Sequence, residues 1–282
     1  MTSSLQICLP ADTDNYCVMG NPISHSKSPQ IHKIFAEQTD QNLFYQAILV
    51  DPDCFSEALS EFQRLGGKGL NITVPFKGDA CNAVDHLTAR AKKAAAVNTI
   101  WFDKKGESHG DTTDATGLVN DLRANDIQLQ DKNILILGAG GAVRGVLSGL
   151  LEQGVQSITI ANRTHSRAEE LVTNYGSDER LSASEFTDLK SGFFDIIING
   201  TSASLYGELL PIDDTLAMNT CCYDMVYADA DTCFVKWARE NGARIALDGL
   251  GMLVHQAAAS FYIWRDVSPQ TSSVIEIIRS KS

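Results

Sequence analysis

The chain is short of positive charge. Its 23 Lys and Arg stand against 35 Asp and Glu, a formal net charge of −12, and such a surface repels phosphate backbones at long range. This argues against nonspecific nucleic-acid binding. Metal-ligand spacings are missing as well. The seven cysteines include no CxxC, and the six histidines are dispersed with no HExxH, so neither a zinc site nor a dithiol pair is expected. An odd number of scattered thiols reads as reduced cysteines in a cytoplasmic protein. No run approaches the roughly 18 apolar residues that a membrane-spanning helix requires. The opening MTSSLQICLPADTDNY lacks both the basic start and the apolar stretch of a secretory signal. No internal repeat or low-complexity segment is found, which leaves an ordinary folded chain.

What is present supports that. With 282 residues, 44% of them hydrophobic and 21% charged, the chain can bury a core, and its length suits two domains or one large α/β domain. Before residue 115, strands are expected at Tyr16–Met19, Phe44–Val50, Gly69–Val74 and Val97–Phe102. Helices are expected from Ser28 and from about Asp53 to Leu65. Ser28 before Pro29 fits an N-cap followed by proline at the first helical position. Phe55, Ala58, Leu59, Phe62 and Leu65 recur at helical spacing up to Gly66-Gly67. From Asn133 the texture changes to short apolar strands (133–137, 157–161, 195–199, 223–226, 244–247) alternating with helices (142–153, 166–175, 232–240), the pattern of parallel βαβ units. The chain is then helical from about Gly251. Two α/β lobes are expected, with a boundary near Asp114.

The strand Ile134-Leu135-Ile136-Leu137 runs into Gly138-Ala139-Gly140-Gly141-Ala142, a glycine-rich turn that opens a helix. Glycines there let the backbone approach a pyrophosphate, and free N–H groups at the positive end of the helix face its charge. The spacing is not a strict GxGxxG, because Val143 stands where the third glycine or alanine falls. At the end of the next strand an NAD-binding chain offers Asp or Glu to the ribose hydroxyls. Here Asn162-Arg163-Thr164 follows, with Arg167 a helical turn later. Guanidinium groups suit a 2′-phosphate, which points to NADP; the alternative is a pair of solvated arginines at a helix start.

The first lobe holds polar clusters at GNPISHSKSP (20–29), NITVPFK (71–77) and GDTTD (110–114). Ser26 and Ser28 lie by a helix N-terminus, where hydroxyls can hold a carboxylate, or where Ser28 simply caps its helix. A strand through 71–77 delivers Lys77 to the carboxyl edge of a sheet, where ligands of open α/β sheets bind. With AVNT (96–99), GDTTDATGLVNDL (110–122), GAGGAVRG (138–145), NRT (162–164), YDMVY (223–227) and DGLGMLVHQAA (248–258) in order, the chain resembles the shikimate dehydrogenases over nearly its whole length.

The resemblance implies an N-terminal α/β substrate domain (1–113, completed by helices of 249–282) and a Rossmann-like doubly wound NADP-binding domain (114–248). It implies reversible, NADPH-dependent reduction of 3-dehydroshikimate to shikimate, a step of aromatic amino-acid biosynthesis. Lys77 and Asp114 match the family's catalytic pair. Ser26, Ser28, Thr73, Asn98, Tyr227 and Gln256 match its substrate contacts. Gly138, Ala139, Gly140, Gly141 and Ala142 match the pyrophosphate loop, Asn162, Arg163, Thr164 and Arg167 the adenosine phosphate site, and Met225 and Gly249 the nicotinamide surroundings. No metal is implied. The expected partner is the small substrate alone, with no nucleic acid or membrane, for a monomer or homodimer. His25 reads as structural and His255 as a helix residue beside Gln256.

Departures from the family pattern are Thr112 for a common Asn, Ala115 for a common Gly, and Asn-Gly-Thr-Ser-Ala-Ser at 199–204 for Asn-Ala-Thr-Ser-Ser-Gly. Two other activities remain to be weighed: a quinate/shikimate dehydrogenase using NAD or NADP, and a noncatalytic NADP-binding regulator. The second has no use for a proton donor such as Lys77 beside Asp114.

Overall fold

Short strands, the central ones largely apolar, organise the described residues into two six-stranded sheets. The computed structural model describes residues 7–176 and 178–280. It divides into two units, one formed by the chain through Asp114 with the segment from Val254, the other by Ala115–Leu253.

The first unit runs β1 (Asp14–Gly20), α1 (Ser28–Thr39), β2 (Leu43–Leu49), α2 (Phe55–Arg64), β3 (Gly69–Ile72), α3 (Lys77–Ala83), β4 (His86–Leu87), α4 (Ala89–Ala94), β5 (Thr99–Phe102) and β6 (Ser108–Asp111). Its sheet has the order β2-β1-β3-β5-β6-β4. β1, β2 and β3 are parallel, β5 is antiparallel to both β3 and β6, and β4 is parallel to β6. Alternation along β1 sends Cys17 and Met19 to one face with Leu70, Ile72 and the apolar stripe of α2, and Tyr16 and Val18 to the other with Tyr45 and Trp264.

The second unit continues with α5 (Asp114–Ala124), β7 (Asn133–Leu137), α6 (Gly141–Leu151), β8 (Ser157–Ala161), α7 (His165–Asn174), β9 (Leu181–Ser184), β10 (Ile196–Asn199), β11 (Cys221–Asp224), α8 (Cys233–Glu240) and β12 (Ile245–Leu247). Its strands lie β12-β11-β10-β7-β8-β9, all parallel, the doubly wound order with a reversal at β7 and β10. Ile134 and Ile136 pack on one face and Leu135 and Leu137 on the other, which is why β7 is a continuous apolar run. The chain closes with α9 (Leu250–Arg265) and α10 (Ser272–Ser280).

Several boundaries differ from the sequence expectation. Leu65 is the C-cap of α2 and 37% exposed, beyond the buried stripe. β3 stops at Ile72, and Lys77 opens α3 instead of ending a strand; Pro75, lacking an N–H, cannot continue a ladder. The strand expected at 223–226 begins two residues earlier, at Cys221. The helical tail is broken into two helices by a segment that holds Asp266 at φ 54° and Pro269.

Candidate active site

The carboxyl edge of the first sheet gathers its polar clusters. Gly20 ends β1, and a Cβ there would come within 2.3 Å of Thr73 Cγ2, so glycine is what lets Thr73 fold back against β1. Thr73 N–H donates to the Met19 carbonyl at 3.0 Å, and the Thr73 carbonyl accepts from Phe76 N–H at 3.0 Å. This tight turn sets Lys77 on the first turn of α3. Its Nζ reaches Asp114 Oδ2 at 2.6 Å, the lysine side chain 24% and the aspartate 7% exposed. Asp114 is the first residue of α5, where a carboxylate is favoured by the helix dipole.

Asn98 holds the other oxygen of Asp114, its Nδ2 donating to Oδ1 at 2.8 Å. The amide orientation is forced, because Asn98 Oδ1 accepts from Thr113 N–H at 2.9 Å and from Thr99 Oγ1 at 2.8 Å. Gln256 Oε1 accepts from Asn98 Nδ2 at 3.3 Å and Thr113 Oγ1 at 3.4 Å. Lys77, Asp114, Asn98 and Gln256 thus form one hydrogen-bonded cluster.

The cluster has a buried extension that sequence reasoning missed. Ser260, one turn after Gln256 on α9, bonds Thr99 at 2.7 Å, Thr113 at 3.2 Å and Asn71 at 2.9 Å, and Tyr45 donates to Asn71 Oδ1 at 2.8 Å. Asn71, Thr99 and Thr113 lie within the motifs NITVPFK, AVNT and GDTTD, and the four-residue spacing of Gln256 and Ser260 on one helix face is the sequence signal for Ser260. Beneath Tyr45 lies His32, fully buried and stacked at 4.1 Å; burial pushes its imidazole down to about 3, so it is neutral.

Ser28 is buried but does not cap α1. Lys27 holds the cap position but its side chain does not cap the helix, and Ser26 Oγ accepts from Ser28 N–H at 3.3 Å. His25 is exposed, with Nδ1 3.1 Å from Ser24 Oγ. Burial pushes the His255 imidazole down, and its Nε2 has no partner among the described residues.

In the second unit the loop between β7 and α6 carries Gly138, Ala139 and Gly140. Gly138 has φ +106°, a region closed to most side chains, and its N–H donates to the Ala161 carbonyl at 2.7 Å. A Cβ on Gly140 or Gly141 would meet nothing within 4 Å, so the fold does not require glycine at either position. With no acidic residue in the first turn of α6, this helix N-terminus fits an anion. Ala142 and Thr164 are exposed, Asn162 is half-buried with its Nδ2 on the Thr164 carbonyl at 2.9 Å, and Arg163 and Arg167 are exposed without ion pairs among the described residues. These features fit a phosphorylated dinucleotide. Gly249 is different, since a Cβ there would lie 2.3 Å from the Met225 carbonyl oxygen; its packing alone demands glycine. Tyr227 is half-buried, and burial, with nearby Asp229, raises its phenol, which stays protonated. No group of His, Cys, Asp and Glu suited to a metal ion occurs among the described residues, and no helix there is long and apolar enough to cross a membrane.

Family models match three segments of the chain. The shikimate dehydrogenase substrate binding domain matches residues 18–100, shikimate / quinate 5-dehydrogenase residues 121–207, and the shikimate 5′-dehydrogenase C-terminal domain residues 249–279. The shikimate dehydrogenase (NADP(+)) of Colwellia psychrerythraea is 54% identical over 268 residues, covering 95% of this chain and 97% of that protein. The chain belongs to the shikimate dehydrogenase family. Among solved structures, an Ael1 enzyme from Pseudomonas putida is similar at TM-score 0.89 and 41% identity, covering 94% of this chain and 98% of that one. Shikimate 5-dehydrogenase from Thermus thermophilus, solved in complex with NADP(H) and shikimate, is similar at TM-score 0.86 and 30% identity, covering 96% of this chain and 100% of that one.

Val143, a departure from the strict GxGxxG spacing, and Ala115, a departure from the family pattern, each pack against a glycine. A Cβ at Gly200 would lie 2.4 Å from Val143 Cγ2, so Gly200 makes the room that a valine at the third position of the glycine motif needs. A Cβ at Gly149 would lie 2.4 Å from Ala115 Cβ, so α6 yields where α5 has gained a methyl. Ser204, where the family has glycine, donates to buried Asp224 Oδ2 at 2.6 Å.

Proposed function

We propose that this chain is an NADP-dependent shikimate dehydrogenase that reduces the ring ketone of 3-dehydroshikimate to the alcohol of shikimate, and runs the reverse reaction. The observation that carries this is the largely buried Lys77 Nζ–Asp114 Oδ2 contact at 2.6 Å, with Asn98 on the second carboxylate oxygen. The Colwellia relative, 54% identical and named shikimate dehydrogenase (NADP(+)), supports the same substrate and cofactor.

Bound NADPH supplies a hydride to the carbonyl carbon. Lys77, as an ammonium, faces the oxygen that becomes negative and gives it a proton; in the oxidation the neutral amine takes the proton back. Asp114 remains a carboxylate and holds Lys77 in place, itself fixed by Asn98. Ser26, Ser28, Thr73, Asn98 and Gln256 are assigned to the carboxylate and hydroxyls of the substrate, and Tyr227, protonated, to a further donor role. Gly138–Ala142 are assigned to the pyrophosphate, Asn162, Arg163, Thr164 and Arg167 to the 2′-phosphate, and Met225 and Gly249 to the nicotinamide. The first unit is accordingly the substrate domain, the second the nucleotide domain, in a cytoplasmic enzyme.

The test is the absorbance of NADPH with 3-dehydroshikimate, and of NADP with shikimate, run beside NAD and quinate. Turnover with NADP and shikimate exceeding every other pairing is expected. No turnover by folded protein, or faster turnover of quinate with NAD, overturns the assignment.

A further inference from the structure

Between Asp111 at the end of β6 and Asp114 at the start of α5 lie only Thr112 and Thr113, so whatever fixes this turn fixes the acid that holds Lys77. Thr113 is fixed through its N–H to Asn98 Oδ1 at 2.9 Å. The Thr112 hydroxyl is buried with no hydrogen-bond partner among the described residues and anchors nothing. Its backbone N–H donates to Asp111 Oδ1 at 2.8 Å. This half of the turn therefore hangs on the orientation of the Asp111 carboxylate.

That orientation is set from α4. Thr88, the N-cap of α4, accepts from Ala91 N–H and donates through Oγ1 to Asp111 Oδ1 at 2.6 Å. Arg90 grips both oxygens, Nε on Oδ1 at 2.7 Å and Nη2 on Oδ2 at 2.5 Å. The arginine side chain is 41% exposed and the aspartate 5%, so a guanidinium rooted at the surface reaches a carboxylate that is not. Asp111 also receives Asn98 N–H on its backbone carbonyl at 3.0 Å, which joins the same residue to the other anchor of Asp114.

We propose that Arg90, acting through Asp111, is a positioning residue for the Lys77–Asp114 pair. The inference rests on the proposed reaction only for its kinetic readout. A planar fork fixes both carboxylate oxygens at once, whereas a lysine ammonium satisfies the charge without fixing the plane. A pair that merely stabilised the fold would alter melting and leave turnover alone. A positioning pair alters turnover, because displacement of a reacting group by a fraction of an ångström is costly in rate.

The experiment compares the full-length protein with its Arg90→Lys and Arg90→Ala variants by steady-state kinetics, thermal melting and a crystal structure of Arg90→Lys. A fall in kcat of about 10-fold is expected for Arg90→Lys and more for Arg90→Ala. The KM for NADPH should stay within about twofold, since the glycine loop makes no use of Asp111. The Asp114 carboxylate should be turned away from Lys77 Nζ in the crystal. If Arg90→Ala fails to fold, Arg90→Lys decides. Unchanged kcat in folded Arg90→Lys, with or without a lower melting temperature, overturns the proposal. Wild-type protein inactive on shikimate would overturn the assigned reaction instead; the crystal structure then decides the positioning role, for it if Asp114 has turned and against it if Asp114 has not moved.

Discussion

The cluster around Lys77 and the glycine loop before α6 are built on opposite plans. Around Lys77 the polar groups are buried or half-buried and already bonded to one another: Asp114 to Lys77 and Asn98, Asn98 to Thr113, Thr99 and Gln256. In the loop, Gly140 and Gly141 face open space, and Arg163 and Arg167 are exposed and unpaired among the described residues. A group that moves a proton gains from being fixed before the ligand arrives, because little reorganisation then remains. A site for a multiply charged anion gains from donors that nothing else has used. The net charge of −12 is therefore no obstacle to the proposed phosphate site, because Arg163 and Arg167 form no ion pair among the described residues.

The largest expected effect breaks the bonded side. Lys77→Ala should lower kcat by about 10²- to 10⁴-fold, the range of a lost proton donor, with the NADPH dissociation constant unchanged by fluorescence titration. Turnover near normal would mean that the buried pair only supports the fold. Next comes the open side: Arg163→Ala with Arg167→Ala should raise the KM for NADPH by about 10- to 100-fold, the value of lost charge-assisted bonds, and leave that for NADH and the melting temperature as they were. A lowered melting temperature would show these arginines to be tied into the fold, and the contrast would fail.

A smaller effect tests the packing that supports the loop. Gly200→Ala should cost about 1–3 kcal/mol in urea denaturation by overpacking against Val143, and Val143→Ala should restore most of it. Additive losses in that double-mutant cycle would mean the two positions are independent.

The smallest effect is a response to pH that separates the two units. His32 has its folded value pushed down to about 3 by burial, against 6.5 unfolded. The unfolded chain therefore binds the extra proton, and stability present above pH 6.5 is lost as pH falls toward 3. Between about pH 7 and 5.5 the loss is about 1 kcal/mol. Asp224 in the second unit is shifted the other way, its carboxyl raised by burial, so its contribution grows as pH falls. Hydrogen exchange should show amides of β1 and β3 losing protection at mildly acidic pH before those of β7 and β10, and His32→Phe should flatten the difference.

Legibility in the sequence follows the same division. The second sheet can be read because its central strands are rich in apolar residues, Ile134–Leu137 and Ile196–Ile198 above all, and because β7 and β8 are each followed by a helix of ordinary length. The first sheet is harder. β4 has only His86 and Leu87 and β6 spans Ser108–Asp111, too short and too polar for a periodic signal, and a strand drawn through to Lys77 passes over Pro75, which marks the end of the ladder but not how tight the turn Thr73–Phe76 is. Lys77, Asp114, Asn98 and Gln256 stand out through family motifs. Asn71, Thr99 and Thr113 lie inside those motifs without a role being readable for them, and Ser260 lies outside them, since their partnership is made by strands, a turn and a distant helix. The link between Arg90 and Asp111 is hidden for the same reason: Asp111 lies in the GDTTD cluster, but an arginine on a helix 21 residues earlier looks like an ordinary surface charge until the fold brings the two together.

The empty surroundings of Gly140 and the crowded ones of Gly249 separate two kinds of constraint. On the proposed assignment of Gly140 to the nucleotide, a lineage that kept this fold but lost its need for that ligand would be free to fill the position with other side chains, since abundance in the cell would not register the change. It would still retain Gly249, where the Met225 carbonyl forbids a methyl group. Variation at these two glycines among decayed or repurposed descendants would thus record which was lost first, the ligand or the fold.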